Sequence, residues 1–570
     1  MKRLFFLTCL AATLVAQAAP PQSYFSWSSA TVYFLITDRF ANGDPSNDRQ
    51  YGRINDYGSQ RLNAATFHGG DLCGLLQKTE EGYFDSLGVD VVWMTDVYEQ
   101  IHGWTAGSGG TVNDFPHYGY HGYYPLDYTQ MDKNYGTIAQ LRALVNALHS
   151  RGIRVMMGAN FNNVGYPTLL DAVQYGFAPT DDMSEDEAAQ HLVEWRYDEW
   201  AQFQDWSKWW TSAWLRTPDE LWNQTDKRQL TLYGLPDIKD EKTESVRVPI
   251  FLQEKWRKEG KSNDLWVNPS ARKLRKDLPF SPADYMIAWI ASWVEEFGID
   301  GFRCDIVEYV HLERWQQLYD ALNEALARWR QKHPDDPAAQ WKEPIYMTGD
   351  FDEAYIDYKP EYRNVGFSSM VNFYFPKQGD LDAIVPVWQA YADTVCAHPD
   401  WHPFSYLNNS YHREADFDNM TDCLTTLLLA PGVVQLFYGD ETGRDISHDE
   451  ARLNVDSDQA FRADMDWQNI DKSLLAHCRR LGQIRHQHPC IATGRQVSID
   501  CHTCVRLTDS DTLVIRVKPL AWKGICVRDI FQDGTPVREL YTGQTANVKD
   551  GYVHFKYYEN NVAILAEGLH

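Results

Sequence analysis

The sequence predicts an α/β fold organised around a (β/α)8 TIM barrel, and three observations support this prediction. Short apolar runs, typical of buried parallel strands, alternate along the chain with segments of helical type. Eight such runs occur before residue 440, and eight is the number of strands in this barrel. One run, at 301–305, ends on a carboxylate, where barrel enzymes commonly hold a catalytic group.

The eight predicted strands follow one another in chain order. Their ranges are 32–36, 89–94, 153–158, 301–305, 345–349, 367–373, 404–408 and 433–438. The runs are mostly apolar rather than strictly alternating, as expected of strands covered on both faces.

One gap in this series is much longer than the others. About 120 residues separate the third strand from the helix that leads to the fourth. The gap is rich in tryptophan, at Trp195, Trp200, Trp206, Trp209, Trp210, Trp214 and Trp222. A structureless loop of that length is improbable. We therefore expect an inserted domain at 160–280, between two barrel segments at 19–159 and 281–484.

The C-terminal part of the chain has a different pattern. After about residue 485 the sequence alternates polar and apolar positions, as at 512–517 and 553–557. Such alternation is typical of half-buried antiparallel strands. The prediction for 485–570 is a small C-terminal antiparallel β-sandwich.

The N-terminus has the features of a secretory signal peptide at 1–18. Lys2 and Arg3 precede an apolar run at 4–15, which is followed by the A-x-A cleavage pattern at 16–18. The run is too short to span a membrane, and no later segment is a candidate span. We expect an exported protein, periplasmic or extracellular.

Composition narrows the classes of partner. The net charge of −26 disfavours nucleic acids and anionic membranes, which attract Lys/Arg patches. Aromatic residues make up 14% of the chain, enough for flat platforms against sugar rings as well as for core packing. Oligomeric state is not predicted.

The cysteines leave two alternatives open. Nine follow the predicted signal peptide, so at least one is unpaired within the chain. Cys501 and Cys504, in a C-x-x-C pattern, could form a local disulfide or half of a metal site. Cys304 lies in a predicted core strand and is expected to be an inert buried thiol.

Seven strings stand out, in order along the chain: TDRFANGDPSNDRQYGR (37–53), HGGDLCGL (68–75), EQIHGW (99–104), DFPHYGYHGYYPLDY (114–128), LPDIK (235–239), GIDGFRCD (298–305) and LLLAPGVVQLFYGDE (427–441). Together they resemble the α-amylase family, glycoside hydrolase family 13, and especially its bacterial periplasmic members. This resemblance covers nearly the whole mature chain. It implies the same three-part architecture and an α-1,4-glucan, such as starch or maltooligosaccharide, as the ligand.

The resemblance also implies site residues. Retaining glycosidases need a carboxylate nucleophile and an acid/base about 5–5.5 Å from it. Asp305 matches the family nucleophile, and Arg303 matches the arginine that steadies it. Asp350 stands where the family has a glutamate acid/base, and a displacement of about 1 Å can cost ~10²-fold in rate. Asp352 and Glu353 are nearby alternatives.

The third family carboxylate is missing from its expected position. Ser410 and Tyr411 match the family His-Asp pair, and shifting the alignment to His412-Arg413 supplies no aspartate. Loss of one such group typically costs about 10²–10³-fold in rate. His121 matches the histidine of the −1 subsite and is kept. The expected substrate-binding residues are thus His121, Arg303 and Tyr411.

Further departures fall at sugar-contacting positions. Gly158 and Asn163 replace the Asp and His of the family DVVxNH string, and Glu308-Tyr309 replace a Lys-His pair of the +2 subsite. The pattern indicates a retained fold with altered chemistry. Three hypotheses remain: strongly impaired catalysis through Asp305, an active hydrolase that uses Asp305 and Asp350, and a non-catalytic glucan-binding or structural protein.

An oxygen-rich loop at 42–48 is a candidate Ca²⁺ site, because closely spaced carboxylate, amide and carbonyl oxygens suit a hard cation. The expected ligands are Asn42, Asp44, Asn47, Asp48, the Gly69 carbonyl and Asp71. The alternative is an ordinary Asx/Pro turn. A second family calcium, between barrel and inserted domain, uses the asparagine that matches Asn162.

Overall fold

The structure is a computed structural model, and part of the chain is described in it. The described residues are 25–53, 64–105, 117–177, 184–185, 210–216, 225–230, 235–350, 355–411, 415–444 and 458–568. The predicted signal peptide therefore lies outside the described residues. Within these ranges, no helix combines the length and apolar character needed to cross a bilayer.

The described residues contain eighteen strands, numbered here in chain order. They are β1 (Thr31–Leu35), β2 (Val91–Met94), β3 (Tyr98–Gln100), β4 (Pro125–Met131), β5 (Arg154–Ala159), β6 (Gly301–Cys304), β7 (Tyr346–Gly349), β8 (Ser369–Asn372), β9 (Phe404–Tyr406), β10 (Val433–Phe437), β11 (Arg495–Asp500), β12 (Thr503–Leu507), β13 (Thr512–Val517), β14 (Ile525–Cys526), β15 (Pro536–Glu539), β16 (Thr545–Asn547), β17 (Tyr552–Val553) and β18 (Val562–Glu567).

Eight of these strands are parallel and close into a barrel in the order β1-β10-β9-β8-β7-β6-β5-β2. Each coincides with one of the eight apolar runs, so the predicted barrel is confirmed. The strands are almost entirely buried, because helices cover the outside and side chains fill the inside.

Helices connect the strands. The α-helices are Thr37–Phe40, Leu72–Glu80, Tyr83–Ser86, Ile138–Ser150, Leu169–Tyr175, Ile250–Glu259, Pro282–Phe297, Leu312–Lys332, Pro360–Arg363, Ile384–Ala397, Met420–Leu428, Asp458–Phe461, Lys472–Gln487 and Cys490–Thr493. Short 3-10 helices lie at Trp27–Ser29, Gln50–Gly52, Lys227–Gln229, Gly260–Asn263, Pro269–Leu274, Val307–Tyr309, Pro337–Gln340, Phe417–Asn419 and Asp440–Thr442.

The helix Pro282–Phe297 shows how local sequence positions the site. Ser281 and Asp284 form a reciprocal capping box at its start, and Pro282 occupies its first turn. Gly298, at φ 75°, ends the helix in the left-handed conformation that glycine adopts without strain. Only two residues separate Gly298 from the start of β6, so these caps determine where β6 begins and where Asp305 lies.

The barrel is interrupted between β5 and β6, as predicted. In the described part of this insertion, Trp214 stacks on Trp289 of a barrel helix, with ring centroids 5.7 Å apart and planes 4° apart. Trp210 meets Trp214 edge-on at 5.2 Å. Two of the predicted tryptophans therefore attach the insertion to the barrel. The other five, Trp195, Trp200, Trp206, Trp209 and Trp222, lie outside the described residues.

The C-terminal region is antiparallel, as predicted. A six-stranded sheet has the order β11-β12-β13-β18-β15-β16, and β14 pairs with β17. One face of this sheet, with Val505, Val514 and Leu565, forms an apolar cluster of its own, whereas Ile515 and Ile564 on the other face belong to the main core. The strands begin at Arg495, because the helices up to residue 493 still belong to the preceding segment.

All nine cysteines after the predicted signal peptide are free in the structure. Cys501 is exposed in the turn before β12 while Cys504 is buried in that strand, so the alternative of a local disulfide between them is not realised. Cys304 is fully buried in β6, as expected, and burial raises the pKa of its thiol.

Candidate active site

Two expected catalytic carboxylates lie at the carboxyl ends of neighbouring barrel strands. Asp305 directly follows β6 and Asp350 directly follows β7. The two strands pair in parallel, with Cys304 opposite Gly349, so the aspartates are next in register. Adjacent parallel strands place such residues side by side at the same edge of the barrel.

Arg303 holds both carboxylates. Its Nη1 lies 2.6 Å from Asp305 Oδ1, and its Nη2 forms an ion pair with Asp350 Oδ2. The arginine side chain is 6% exposed, and the Asp305 side chain is 17% exposed. Asp305 therefore reaches the cleft, with its charge balanced from below by a buried guanidinium.

The second oxygen of Asp350 is also engaged. Its Oδ1 accepts a 2.9 Å hydrogen bond from the backbone N–H of Ile306. Burial raises the pKa of Asp350 to about 6, while the nearby Arg303 opposes the rise. Protonating Asp350 to make it a general acid would therefore weaken its pairing with Arg303. The alternatives Asp352 and Glu353 lie outside the described residues.

His121 is buried at 1% exposure and is oriented by its own loop. Its Nδ1 accepts a 3.1 Å hydrogen bond from the backbone N–H of Tyr123, which leaves the proton on Nε2. Burial, followed by the charge of Arg462, lowers the pKa of His121 well below the usual value, so the ring is neutral. Among the described residues, Nε2 has no hydrogen-bond partner. A buried donor of this kind fits a ligand hydroxyl.

Tyr411 lies in the same region but supplies no carboxylate. Its ring stacks on Tyr123 with centroids 5.6 Å apart, and Arg462 lies 5.1 Å from its ring centroid. The Tyr123 hydroxyl is 3.2 Å from Ser410 Oγ. Burial raises the pKa of Tyr411 well above its usual value, so its hydroxyl is neutral. His412 and Arg413 lie outside the described residues.

Sequence reasoning missed two residues of this site, Asp96 and Arg462. Asp96 lies two residues beyond β2 and lines a small cavity together with Arg303 and Asp305. A carboxylate just after a barrel strand was the available signal for Asp96. Arg462 carried no such signal, because its place over Tyr411 depends on how a distant segment folds back.

A negative residue, Glu308, stands at the position that matches the lysine of the family Lys-His pair. Glu308 pairs with Lys227 of the insertion, with 2.6 Å between Nζ and Oε1. The side chain of Lys227 is 55% exposed, so the contact itself contributes little to stability. Its effect is to place an ammonium group near the backbone position where the family pattern has a lysine.

The predicted calcium ligands at 42–48 cluster together. Asn42 Nδ2 donates to Asp48 Oδ1 at 2.9 Å, and a Cβ added to Gly69 would lie 2.5 Å from each of these atoms. Asn47 Oδ1 is buried without a hydrogen-bond partner among the described residues. Burial, and then the charges of Asp71 and Asp44, raise the pKa of Asp48.

Mutually repelling carboxylates beside an unsatisfied buried oxygen fit a bound cation. Asp71 has a second role, because its two oxygens accept hydrogen bonds from the N–H groups of Gly43, Asp44 and Gly74 and from Asn47 Nδ2. Asp44 Oδ1 accepts from Ser46.

Asn162 stays a predicted ligand of a second calcium site. Its Oδ1 is buried without a hydrogen-bond partner among the described residues. Its amide nitrogen donates to Asp237 Oδ1 at 2.8 Å and to the Tyr309 carbonyl at 3.3 Å. Arg216 Nε lies 2.5 Å from Asp237 Oδ2, and Arg216 also binds Glu241 through both terminal nitrogens. A guanidinium therefore already supplies positive charge beside Asp237, where a second cation would also have to bind.

Comparison with known proteins identifies the family of this chain. The family model of the α-amylase catalytic domain matches residues 34–343. The periplasmic α-amylase of Escherichia coli (strain K12) is 37% identical over 501 residues, which are 83% of this chain and 69% of that protein. A cyclomaltodextrinase of Bacillus sp is 24% identical over 479 residues, covering 82% of this chain and 67% of that protein.

Among solved structures, an Anoxybacillus α-amylase superimposes with a TM-score of 0.61 at 19% identity, covering 96% of this chain and 100% of the other. An α-amylase of Geobacillus thermoleovorans, solved with acarbose, gives a TM-score of 0.60 at 18% identity, covering 95% and 99%. At these identities the likeness shows the fold. From the family match and the E. coli relative together, it follows that this chain belongs to the α-amylase family.

Proposed function

We propose that this protein is an exported α-glucan-binding member of the family, periplasmic or extracellular, whose hydrolysis of α-1,4-glucans is strongly slowed. Asp305 is the nucleophile of a retaining mechanism, Arg303 steadies it, and His121 binds a hydroxyl of the sugar in the −1 subsite. Asp350 stands at the acid/base position.

One observation carries the proposal: both oxygens of Asp350 are held within the site, by Arg303 and by the Ile306 N–H. A general acid must reach the glycosidic oxygen with a proton to give. Asp350 is one methylene shorter than glutamate and is drawn toward Arg303, so proton delivery to the leaving group is expected to be poor.

The position of Tyr411 supports the same conclusion. A neutral phenol stacked on Tyr123 can contact a sugar but cannot stabilise the positive charge of an oxocarbenium-like transition state as a carboxylate does. Ground-state binding is thereby favoured over acceleration of the chemical step.

The loop at 42–48 supports a structural Ca²⁺ held by Asn42, Asn47, Asp48 and the Gly69 carbonyl, with Asp44 and Asp71 beside it. Such an ion would supply positive charge among three carboxylates and stabilise the loop against the barrel. It would take no part in the chemical step.

An active hydrolase is the second candidate, and one observation favours it. Burial raises the pKa of Asp350 to about 6, in the range where a carboxyl group works as a general acid near neutral pH. The two candidates differ in turnover, since both predict glucan binding.

The deciding experiment incubates the purified mature protein with maltoheptaose and with an activated maltooligosaccharide, alongside Asp305→Ala. We expect calorimetry to detect maltoheptaose binding to both chains, and slow turnover that disappears in the variant. Turnover comparable to that of a family amylase with the glutamate in place would overturn the impaired reading. Absence of glucan binding would overturn the whole proposal.

A further inference from the structure

No side chain projects into the site from position 158, because this residue is a glycine. Gly158 of β5 lies opposite Arg303 of β6 in the parallel register. Side chains at paired positions of adjacent parallel strands point to the same face, so position 158 faces the same interior as the guanidinium. The family pattern has an aspartate there, and glycine leaves the space beside Arg303 without a side chain from β5.

A carboxyl group from the other neighbouring strand occupies that space. β2 pairs with β5 on the side away from β6, with Trp93 opposite Met156. A Cβ built on Gly158 would overlap Asp96 Oδ1 and would lie 2.8 Å from its Cγ and 2.9 Å from its Oδ2. The Asp96 carboxyl thus fills the volume that a side chain at 158 would need.

The backbone of Asp96 is confined as well. Gly122, at φ 90°, passes so close that a Cβ there would lie 2.9 Å from the Asp96 nitrogen. Asp96 is 2% exposed. With glycines on two sides, the aspartate has little freedom to move away from the Arg303 side.

The environment couples Asp96 to the reacting groups. Burial raises the pKa of Asp96 to about 7; a hydrogen bond with the Gly158 backbone and the charge of Arg303 oppose this rise, and the charge of Asp305 adds to it. Asp96, Arg303 and Asp305 line one cavity of about 10 Å³, room for about one water molecule.

We propose that Asp96 supplies, from just beyond the end of β2, the carboxyl group that position 158 no longer supplies from β5, and that it positions Arg303 and through it Asp305. In the family pattern this carboxyl group comes from position 158, whereas in this chain it comes from Asp96 and lies in the same part of the site. Asp96 is a positioning residue, since its carboxyl group is buried and acts through the charge of Arg303 rather than on the sugar. The effect on catalysis rests on the proposed function, whereas the exchange of strands does not.

If the carboxyl group of Asp96 replaces one at position 158, substitutions at the two positions should compensate for each other. Thermal unfolding of the full chain can measure this compensation. Gly158→Asp alone should lower the Tm most, because two carboxyl groups would compete for one space. Adding Asp96→Ala should recover most of that loss, a coupling that distant sites do not show. Asp90→Asn removes a carboxylate at the other end of β2, where Asp90 Oδ2 accepts from the Thr31 N–H, and should add independently to Gly158→Asp. Additive losses for Asp96→Ala and Gly158→Asp would overturn the proposal.

The positioning role is tested on an activated maltooligosaccharide. Asp96→Ala should lower kcat about tenfold or more with little change in KM, and Asp96→Ala/Gly158→Asp should restore much of the rate. If the double variant recovers the Tm but not the rate, Asp96 only fills space in the core, and the positioning role would be overturned.

If the wild type shows no turnover, the catalytic part of the proposed function fails and a second cycle decides the positioning role. Asp96→Asn combined with Arg303→Lys should give non-additive changes in the free energy of unfolding. Additivity in that cycle would overturn positioning independently of any activity.

Discussion

The backbone N–H of Ile306 donates a 2.9 Å hydrogen bond to Oδ1 of Asp350. Ile306 directly follows the proposed nucleophile and has φ 39°, ψ 57°, a left-handed conformation that is rare for a β-branched residue. Such strain persists only where the surroundings enforce it. The turn after Asp305 is therefore shaped to hold the neighbouring carboxylate, and this holding is what sets Asp350 apart from a free acid.

Lengthening the acid and restoring the third carboxylate should raise turnover. We expect Asp350→Glu/Tyr411→Asp to increase hydrolysis of maltoheptaose by about 10²-fold or more, since one such group is typically worth about 10²–10³-fold. Each single change should gain less, because groups that act as a unit are not additive. Addition of Asp305→Ala should abolish the gain. An unchanged rate in the double variant would show that the cleft is altered beyond these two positions.

Removing His121 should weaken glucan binding. We expect His121→Ala to lower maltoheptaose affinity about tenfold, roughly the value of one hydrogen bond to a buried donor. Because His121 stays neutral, its contribution should not change between pH 5 and pH 8. His402, another buried histidine, precedes β9 at the opposite end of the barrel. Calorimetry on His402→Ala should give wild-type affinity, and equal losses in both variants would contradict a direct role for His121.

Asp96→Asn should change how stability depends on pH. In the unfolded chain an aspartate titrates near pH 3.9, whereas the pKa of Asp96 in the fold is about 7. The fold binds this proton more tightly, so the contribution is fully present below about pH 4 and is lost as pH rises through about 7.

Asparagine cannot ionise, so Asp96→Asn should not lose this contribution to stability as pH rises. At about 1.4 kcal/mol per pKa unit, we expect the free energy of unfolding of Asp96→Asn, taken relative to wild type, to rise by on the order of 2–4 kcal/mol between pH 4 and pH 8. Denaturant unfolding at several pH values measures the difference. Asp350 and Asp440, whose pKa values are also raised, are present in both chains. Parallel stability curves would contradict a raised pKa at Asp96.

Arg216 should act as the built-in cation between the insertion and the barrel. Arg216→Met leaves Asp237 buried and uncompensated, which typically costs about 3–5 kcal/mol. We expect faster hydrogen exchange in peptides 160–177 and 235–240, and slower exchange again when Ca²⁺ is added to the variant. Arg228→Met, which breaks a half-exposed pair with Asp226, should change exchange little. Loosening of these peptides in wild type by a chelator alone would favour a metal at Asn162.

The loop at 42–48 should respond to calcium directly. We expect added Ca²⁺ to raise the Tm of the wild type in proportion to the logarithm of its concentration, because it binds the folded state. Asp48→Asn and Asn47→Ala should lose most of this shift. Asp416→Asn removes a carboxylate that caps a distant 3-10 helix and should keep the calcium response. A response retained by both loop variants would place the ion elsewhere.

The barrel, its eight strands and the C-terminal sheet were accessible from the sequence because they depend on local periodicity. Continuous apolar runs determine buried parallel strands, and their order determines the barrel. The identity of Asp305 as a residue at a strand end follows from the same pattern. The altered positions 158, 350 and 411 were also visible, since each lies in a recognisable string.

The tertiary structure alone decided what those alterations do. Whether Asp350 is free or held depends on the Arg303 fork and the Ile306 turn, which come from two strands. The carboxyl beside Arg303 comes from Asp96, about sixty residues from the glycine whose place it takes. Sequence periodicity reports which face a side chain is on, but contacts between strands, and the charges they bring together, exist only once the barrel closes.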